Sequence, residues 1–226
     1  MAKLDYGVLV ISLDFELYWG VRDCCQIADY QANLLGVHQA IPGMLDVFAR
    51  SGIHATWAAV GLLFCRDRDD ALTSSPTCRP NYVLPDLSPY RYMDSQQDLA
   101  PVYHFAPELV AAIGQTPGQE LASHTFSHYY CLEAGQSIED FRADLRAAQQ
   151  VAARAGHVLR SLVFPRNQWN PAYLPVLSEL GFRSYRGNES SWIYQATDSG
   201  QQNRVRRALR LLDSYVNLTG HHTHEL

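Results

Sequence analysis

Short apolar runs alternate with longer amphipathic stretches along this chain, which predicts strands alternating with helices. The short runs are rich in β-branched or aromatic residues and end at glycine or polar residues, as buried strands do. We predict strands at residues 6–13, 53–60, 120–123, 158–164 and 182–185.

The longer stretches carry apolar residues at helical spacing and have recognisable ends. Ile41 and Leu45 share one face of a helix that Gly52 terminates. Another helix begins at Ser137, which has the capping-box spacing to Asp140. We predict helices at residues 37–51, 107–113, 138–155, 171–180 and 201–212.

This alternation implies a mainly parallel sheet or barrel in a single domain spanning residues 1–226. Polar residues follow four of the predicted strands, namely Asp14, His124, Arg166 and Asn188. In α/β barrels the catalytic residues collect at the C-terminal ends of the strands. We therefore expect these four side chains at one mouth of a barrel, although they are far apart in sequence.

Residues 65–106 interrupt the alternation. The stretch holds five prolines and four tyrosines. A connection this long without secondary structure is uncommon and is usually a binding loop or disordered, and its aromatic residues favour order. We predict an ordered insertion loop that covers the site and contacts the substrate.

Composition narrows the class of protein. The chain has 226 residues, is 47% hydrophobic and carries a formal net charge of -5, so nothing indicates nucleic-acid binding. No stretch approaches the ~20 apolar residues of a membrane span. The five cysteines include no CxxC pair, and no secretion signal is recognisable. We therefore expect reduced thiols and a cytoplasmic protein.

Two histidines four residues apart give the first chemical signal. His124 and His128 would lie on one side of a helical turn. Imidazole is a common zinc ligand, and a catalytic zinc usually takes three protein ligands and leaves one position open. Upstream, Asp14 and Glu16 lie at the end of a strand, where alternation could place both on one side. Together these residues suggest metal-assisted hydrolysis.

These motifs resemble those of the polysaccharide deacetylase family, also called the NodB-homology family. Residues 124–128 match its His-Ser/Thr-x-x-His motif in full, and residues 11–16 are similar to its strand that ends in paired aspartates. The resemblance extends from residue 8 to residue 192. It implies a distorted (β/α) barrel, here incomplete at its C-terminus, that removes acetyl groups from sugars with a divalent metal.

The resemblance implies a role for each matching residue. His124 and His128 correspond to the metal-binding histidines of the family, and Asp14 corresponds to its general base. Phe15 occupies the position of the second, metal-binding aspartate, so Glu16 is the substitute ligand. Which of the two acids binds the metal and which takes the proton stays open.

Further matches concern orientation and substrate binding. Arg166 corresponds to an arginine that orients the catalytic aspartate, and Trp192 to a tryptophan that lines the acetyl pocket, with Asn188 in the same motif. A backbone N–H near Tyr129 would stabilise the oxyanion. The general acid of the family has counterparts only in the terminal histidines, His221, His222 and His224.

The resemblance therefore implies a metal-dependent hydrolase that removes an acetyl group from an N-acetylated sugar or glycan precursor. Its carbohydrate substrate would be a sugar nucleotide, a lipid-linked saccharide or an oligosaccharide. Zn²⁺ is the expected metal, and Co²⁺ or Mn²⁺ would suit the same ligands. Two alternatives stay open: a deformylase or cyclic amide hydrolase of the same fold, and a non-catalytic glycan-binding relative.

Overall fold

One parallel sheet forms the centre of the molecule. The structure is a computed structural model that describes residues 7–188, 191–198 and 204–220. Its five strands follow the order of the sequence, β1-β2-β3-β4-β5. They are β1 Ser12–Phe15, β2 Ala55–Ala59, β3 Gln119–Ser123, β4 Ser161–Val163 and β5 Ser184–Arg186. The five predicted strands are confirmed, with shifted bounds.

Helices connect the strands in every case, as parallel pairing requires. In the described part of the chain they are α1 Ile27–Ser51, α2 Arg68–Ser74, α3 Pro89–Ser95, α4 Pro101–His104, α5 Pro107–Gln115, α6 Ile138–Arg154, α7 Leu174–Glu179 and α8 Arg204–Val216. Short 3₁₀ turns lie at Leu17–Gly20, Gly61–Phe64, Pro85–Leu87, Pro165–Asn167 and Pro171–Tyr173. No helix in these ranges combines the length and apolar character needed to cross a membrane.

The sheet curls so that its first and last strands approach each other. The guanidinium of Arg186, the last residue of β5, donates hydrogen bonds to Ser12 Oγ at 3.2 Å and to Asp14 Oδ2 at 2.8 Å on β1. The result is a half-barrel surrounded by helices, which confirms the predicted distorted (β/α) barrel.

The two faces of the sheet differ in character because side chains alternate along each strand. The inner face carries the small residues Ala58, Ala122 and Val163, which form a buried cluster of their own. Nearer the N-terminal ends of the strands, Glu120 accepts a hydrogen bond of 2.8 Å from Thr56. The inside of the half-barrel is therefore narrow and partly polar.

The outer face makes the main core. Trp57, Leu121 and Leu162 point outward and belong to one hydrophobic cluster with Phe141 and Leu145 of α6. Each such side chain contributes about 1.5–3 kcal/mol when fully buried. This packing fixes α6 against the sheet, and α6 in turn supports the candidate site.

Two helix ends match signals in the sequence. Ser137 Oγ accepts the N–H of Asp140 at 3.2 Å and donates to the Asp140 carboxylate at 2.7 Å, so the predicted N-cap of α6 is confirmed. Gly52 ends α1 at a φ of 62°, a conformation that glycine adopts at little cost. However, α1 begins at Ile27, ten residues before the predicted start, and continues through Pro42.

The predicted first strand is wrong over residues 8–10. Val8, Leu9 and Val10 are exposed, and β1 begins only at Ser12. Ser12 is the first residue of β1 whose register partner, Thr56, lies on β2. Residues 8–10 therefore lack a neighbouring strand, and their apolar character alone does not extend the sheet.

The insertion at residues 65–106 is ordered, as predicted, but it is not a structureless loop, since it contains α2, α3 and α4. Trp19 Nε1, in the turn after β1, donates to the His104 carbonyl oxygen at 2.6 Å. The N–H of Tyr130, two residues after His128, donates to the Tyr82 hydroxyl at 2.9 Å. The insertion thus supports both sides of the candidate site.

Candidate metal centre

Three side chains from two strand ends converge at the mouth of the half-barrel. Glu16 follows β1, and His124 and His128 follow β3. Glu16 Oε1 lies 3.5 Å from His124 Nε2, and Glu16 Oε2 lies 3.2 Å from His128 Nε2. The candidate ligand atoms all lie within 4.8 Å of one another. The structure therefore brings together the three residues that the sequence indicated as ligands.

Hydrogen bonding determines the tautomer of His124. Its Nδ1 lies 2.9 Å from the carbonyl oxygen of Val163, which can only accept, so Nδ1 carries the proton. In this tautomer Nε2 presents a lone pair. That atom is buried and has no hydrogen-bond partner among the described residues, yet it faces the Glu16 carboxylate. A buried lone pair that faces a carboxylate in this way is stabilised by a cation between the two groups.

The protonation states suit a metal site. Burial raises the pKa of Glu16. Its interactions with His124 and His128 lower the pKa by a larger amount, so the net pKa lies below its usual range. Burial lowers the pKa of His128, against the opposing effect of Glu16. Near neutral pH the carboxylate is therefore ionised and the His128 ring neutral, which are the forms that bind divalent metals.

The spacing also fits a single ion. Two ligand atoms about 2.0–2.1 Å from a tetrahedral zinc lie about 3.3 Å apart. The observed carboxylate–imidazole separations are 3.2 and 3.5 Å. One carboxylate and two imidazoles would hold the ion and leave a fourth position free for water or substrate.

The two histidines lie on a loop, so the expected helical turn is wrong. Residues 124–128 are not helical, and φ is 63° at Thr125 and 58° at His128. Such left-handed conformations are costly outside glycine and persist only when the surroundings fix them. One fixing contact is local, because Thr125 Oγ1 accepts the N–H of Tyr129 at 2.7 Å.

A buried carboxylate supplies the other fixing contacts. Asp144 of α6 accepts the N–H of Phe126 at 2.6 Å and the hydroxyl of Ser127. Asp144 is completely buried, and burial raises its pKa to about 6 despite these hydrogen bonds. The histidine loop is therefore tied to the main core through α6.

Asp14 occupies a different position, in an exposed ion pair. Arg186 Nη2 donates to Asp14 Oδ2 at 2.8 Å and to Asn167 Oδ1 at 3.2 Å, and the Asp14 and Arg186 side chains are each 31% exposed. Asp14 is absent from the cluster of candidate ligands. Of the two acids left open by the sequence, only Glu16 approaches both histidines.

Arg166 does not contact Asp14, contrary to the sequence prediction. Its Nη2 lies 2.6 and 2.7 Å from the two carboxylate oxygens of Asp23. The backbone at Arg166 has a φ of 52°, and the guanidinium lies over the ring of Tyr130. Arg186, one strand further on, takes the position beside Asp14 that was predicted for Arg166.

Tyr129 also differs from expectation. Its N–H is bonded to Thr125 Oγ1, and its buried hydroxyl donates to Gln136 Oε1 at 2.9 Å. The next N–H, that of Tyr130, is bonded to the Tyr82 hydroxyl. Neither amide is free to stabilise an oxyanion in this structure, so Tyr129 is a structural part of the histidine loop.

The remaining candidates lie further along the mouth. Asn188 donates to the Asn167 carbonyl oxygen at 2.9 Å, beside the Asp14–Arg186 pair. Trp192 is 58% exposed and lies under the guanidinium of Arg206. The structure thus brings Asn188 near the site and places Trp192 at the surface. The terminal histidines, His221, His222 and His224, lie outside the described residues.

Sequence reasoning missed Arg186 and Asp144. Arg186 directly follows the strand predicted at residues 182–185, so the rule that selected Asp14 and Arg166 would also have selected it. Asp144 interrupts the apolar stripe of α6 beside Phe141 and Leu145, and an acid at such a position signals a buried partner.

One family model matches most of this chain. The family model for polysaccharide deacetylase matches residues 34–185. The fold is similar to that of a candidate polysaccharide deacetylase from Mycobacterium smegmatis, with 16% identity and a TM-score of 0.51, over 80% of this chain and 53% of that one. No curated protein sequence matches the chain.

Weaker similarity extends to two further structures. A de-N-acetylase from Aggregatibacter actinomycetemcomitans has 14% identity and a TM-score of 0.47, over 84% of this chain and 66% of that one. A CE4 family pseudoenzyme from Bacillus anthracis has 11% identity and a TM-score of 0.43, over 78% of this chain and 42% of that one. The chain therefore spans about two fifths to two thirds of the length of these solved structures.

Proposed function

Because the chain belongs to the polysaccharide deacetylase family, we propose that it is a metal-dependent hydrolase that removes the acetyl group from an N-acetylated sugar or glycan precursor. One observation supports this proposal above the others. Glu16, His124 and His128 converge from distant parts of the sequence, and a buried imidazole lone pair faces the carboxylate.

In this proposal Glu16, His124 and His128 hold a divalent ion, most simply Zn²⁺, with Co²⁺ or Mn²⁺ as alternatives. When bound, such an ion would polarise the acyl oxygen and would lower the pKa of water at the open position towards ~7. The chain contributes ligands of fixed geometry, because Val163 orients the ring of His124.

Asp14 then serves as the general base and takes the proton of the attacking water. Its exposure leaves it accessible to water and substrate at the mouth. Arg186 positions the carboxylate from β5, with Asn167 as a second partner of the guanidinium. The carboxylate that binds the ion and the one that takes the proton are thus different residues with different surroundings.

The test is acetate release from a panel of N-acetylated sugars by the purified chain loaded with Zn²⁺, Co²⁺ or Mn²⁺. We expect metal-dependent release that His124→Ala plus His128→Ala abolishes, together with stoichiometric metal binding. His54→Ala is the matched control, since His54 is exposed and lies at the opposite ends of the strands. Stoichiometric metal retained by the double variant would contradict the proposal.

The same panel separates the two alternatives. Release of formate, or ring opening of a cyclic imide, without acetate release would identify a different acyl substrate on this fold. Saccharide binding without turnover at any metal or pH would identify a glycan-binding relative that does not catalyse hydrolysis.

A further inference from the structure

A second, strongly basic pocket lies next to the candidate metal centre. It has a volume of about 550 Å³ and is lined by Asp23, Cys24, Arg166, Arg207 and Arg210. Three guanidinium groups thus face one carboxylate. The pocket joins the stretch after β1, the turn after β4 and helix α8, so it exists only in the folded chain.

The charges in this pocket are not balanced. Asp23 is already paired with Arg166 through both carboxylate oxygens, at 2.6 and 2.7 Å. No acidic partner of Arg207 or Arg210 lies within ion-pair distance among the described residues. Two positive charges therefore remain available to a ligand.

Cys24 does not add a compensating negative charge. Partial desolvation, the contact with Cys25 and the charge of Asp23 raise the pKa of the Cys24 thiol to about 11. The thiol therefore stays neutral near pH 7, and the pocket keeps a net positive charge.

The pocket is close enough to the metal centre to bind part of the same substrate. The Arg166 guanidinium carbon lies 4.9 Å from the Tyr130 ring centroid, and that ring lies 5.0 Å from the ring of His128. The guanidinium and the candidate ligand are thus separated by at most the sum of these distances, about 10 Å. An anionic group here and an acyl group at the metal centre could belong to one sugar derivative.

The geometry of the two free arginines favours phosphate. Arg207 and Arg210 are three residues apart on α8 and therefore lie on the same helix face. Guanidinium groups bind phosphate oxygens in a bidentate manner, and pairs of them are well suited to a phosphate or diphosphate. We infer that this pocket binds the phosphate or diphosphate of an N-acetylated sugar whose acyl group lies at the metal centre.

The position of the acyl group in this inference rests on the proposed function. The test of the inference, however, measures binding and not turnover. The zinc-loaded wild type is titrated calorimetrically with N-acetylglucosamine, N-acetylglucosamine 1-phosphate, UDP-N-acetylglucosamine and a short prenyl diphosphate-linked N-acetylglucosamine. The last two distinguish a nucleotide from a lipid as the carrier of the diphosphate. We expect at least tenfold tighter binding of one or more phosphorylated sugars than of the unphosphorylated sugar.

The variant Arg207→Gln plus Arg210→Gln should weaken binding of the phosphorylated sugars at least tenfold and leave that of the free sugar unchanged. Arg207→Lys plus Arg210→Lys should recover part of the affinity, which a folding defect would not allow. The matched control is Arg160→Gln plus Arg183→Gln, two exposed arginines beside the opposite ends of β4 and β5, and it should bind like the wild type.

Equal affinity for phosphorylated and unphosphorylated sugars, or an unchanged affinity in the Arg207/Arg210 double glutamine variant, would overturn the inference. Failure of the proposed function would give a different set of results. In that case no acetate would be released from any sugar, while the preference for phosphorylated sugars and its dependence on the two arginines would persist.

Discussion

The two sides of the candidate site are built in different ways. On the histidine side, His124 and His128 are fully buried, and their loop is tied to the core through Asp144. On the other side, Asp14 depends on an ion pair with Arg186 in which both side chains are about one third exposed. Exposed pairs of this kind contribute only about 0–1 kcal/mol. The structure therefore separates a buried side with the two histidines, the ligand side of our proposal, from an accessible side with Asp14, the base side of our proposal.

We expect the largest difference in effect between variants of the two acids, Glu16 and Asp14. Glu16→Gln should weaken metal affinity more than about 100-fold, because the anionic ligand is lost while the two imidazoles remain. Asp14→Asn should leave metal affinity within about threefold and lower kcat by about 10²–10⁴. Metal titration and acetate release on both variants measure the two effects. A loss of metal in Asp14→Asn would remove the distinction between the two sides.

The pH dependence of the free energy of unfolding tests how Asp144 supports the histidine side. Its pKa is about 6 in the folded protein, above the usual 3.8. Between these values the folded carboxyl holds a proton that the unfolded chain has released, so the free energy of unfolding falls as pH rises from about 4 to 6. The loss is roughly 2–3 kcal/mol and is complete above the folded pKa.

Asp144→Asn should remove this contribution while keeping an oxygen that accepts the Phe126 N–H. The measurement is denaturant unfolding of wild type and variant at several pH values, compared as a difference so that other titrating groups cancel. A constant difference from pH 4 to pH 7 would contradict the assigned role of Asp144.

Arginine variants test the base side. Arg186→Gln should lower kcat about tenfold with little change in metal affinity, because only the orientation of Asp14 is lost. Arg186→Lys should restore part of the rate. Arg166→Gln should leave the Asp14 pair intact, since Arg166 contacts Asp23. If Arg166→Gln instead lowered kcat while Arg186→Gln did not, the sequence prediction for Arg166 would hold and our assignment would fail.

The smallest effect concerns the helix that supports the ligand side. Ser137→Ala removes the cap of α6 and should destabilise the protein by about 1 kcal/mol. Metal affinity should not change, because the cap lies outside the histidine loop. Thermal unfolding with and without metal checks both statements, and a large loss of metal affinity would show that the histidine side is less rigid than its burial indicates.

The sequence by itself determined the order of the elements and the kind of chemistry. Apolar periodicity and caps predicted five strands and one helix between each consecutive pair, but not α2, α3 and α4. The rule for parallel strands placed Asp14 and His124 at one mouth. These inferences succeed because each depends on local spacing, or on a topology that allows few alternatives. The start of the first strand was wrong, because residues 8–10 are apolar but have no neighbouring strand.

Only the tertiary structure decided which side chains meet. Arg166 and Arg186 both lie near strand ends at the same mouth, and the choice of Arg186 as the partner of Asp14 depends on the curl that brings β5 towards β1, 172 residues away in sequence. The left-handed backbone at Thr125 and His128 likewise requires Asp144, a residue of another element. Partner choice depends on distances set by packing of the whole domain, and local sequence does not encode those distances.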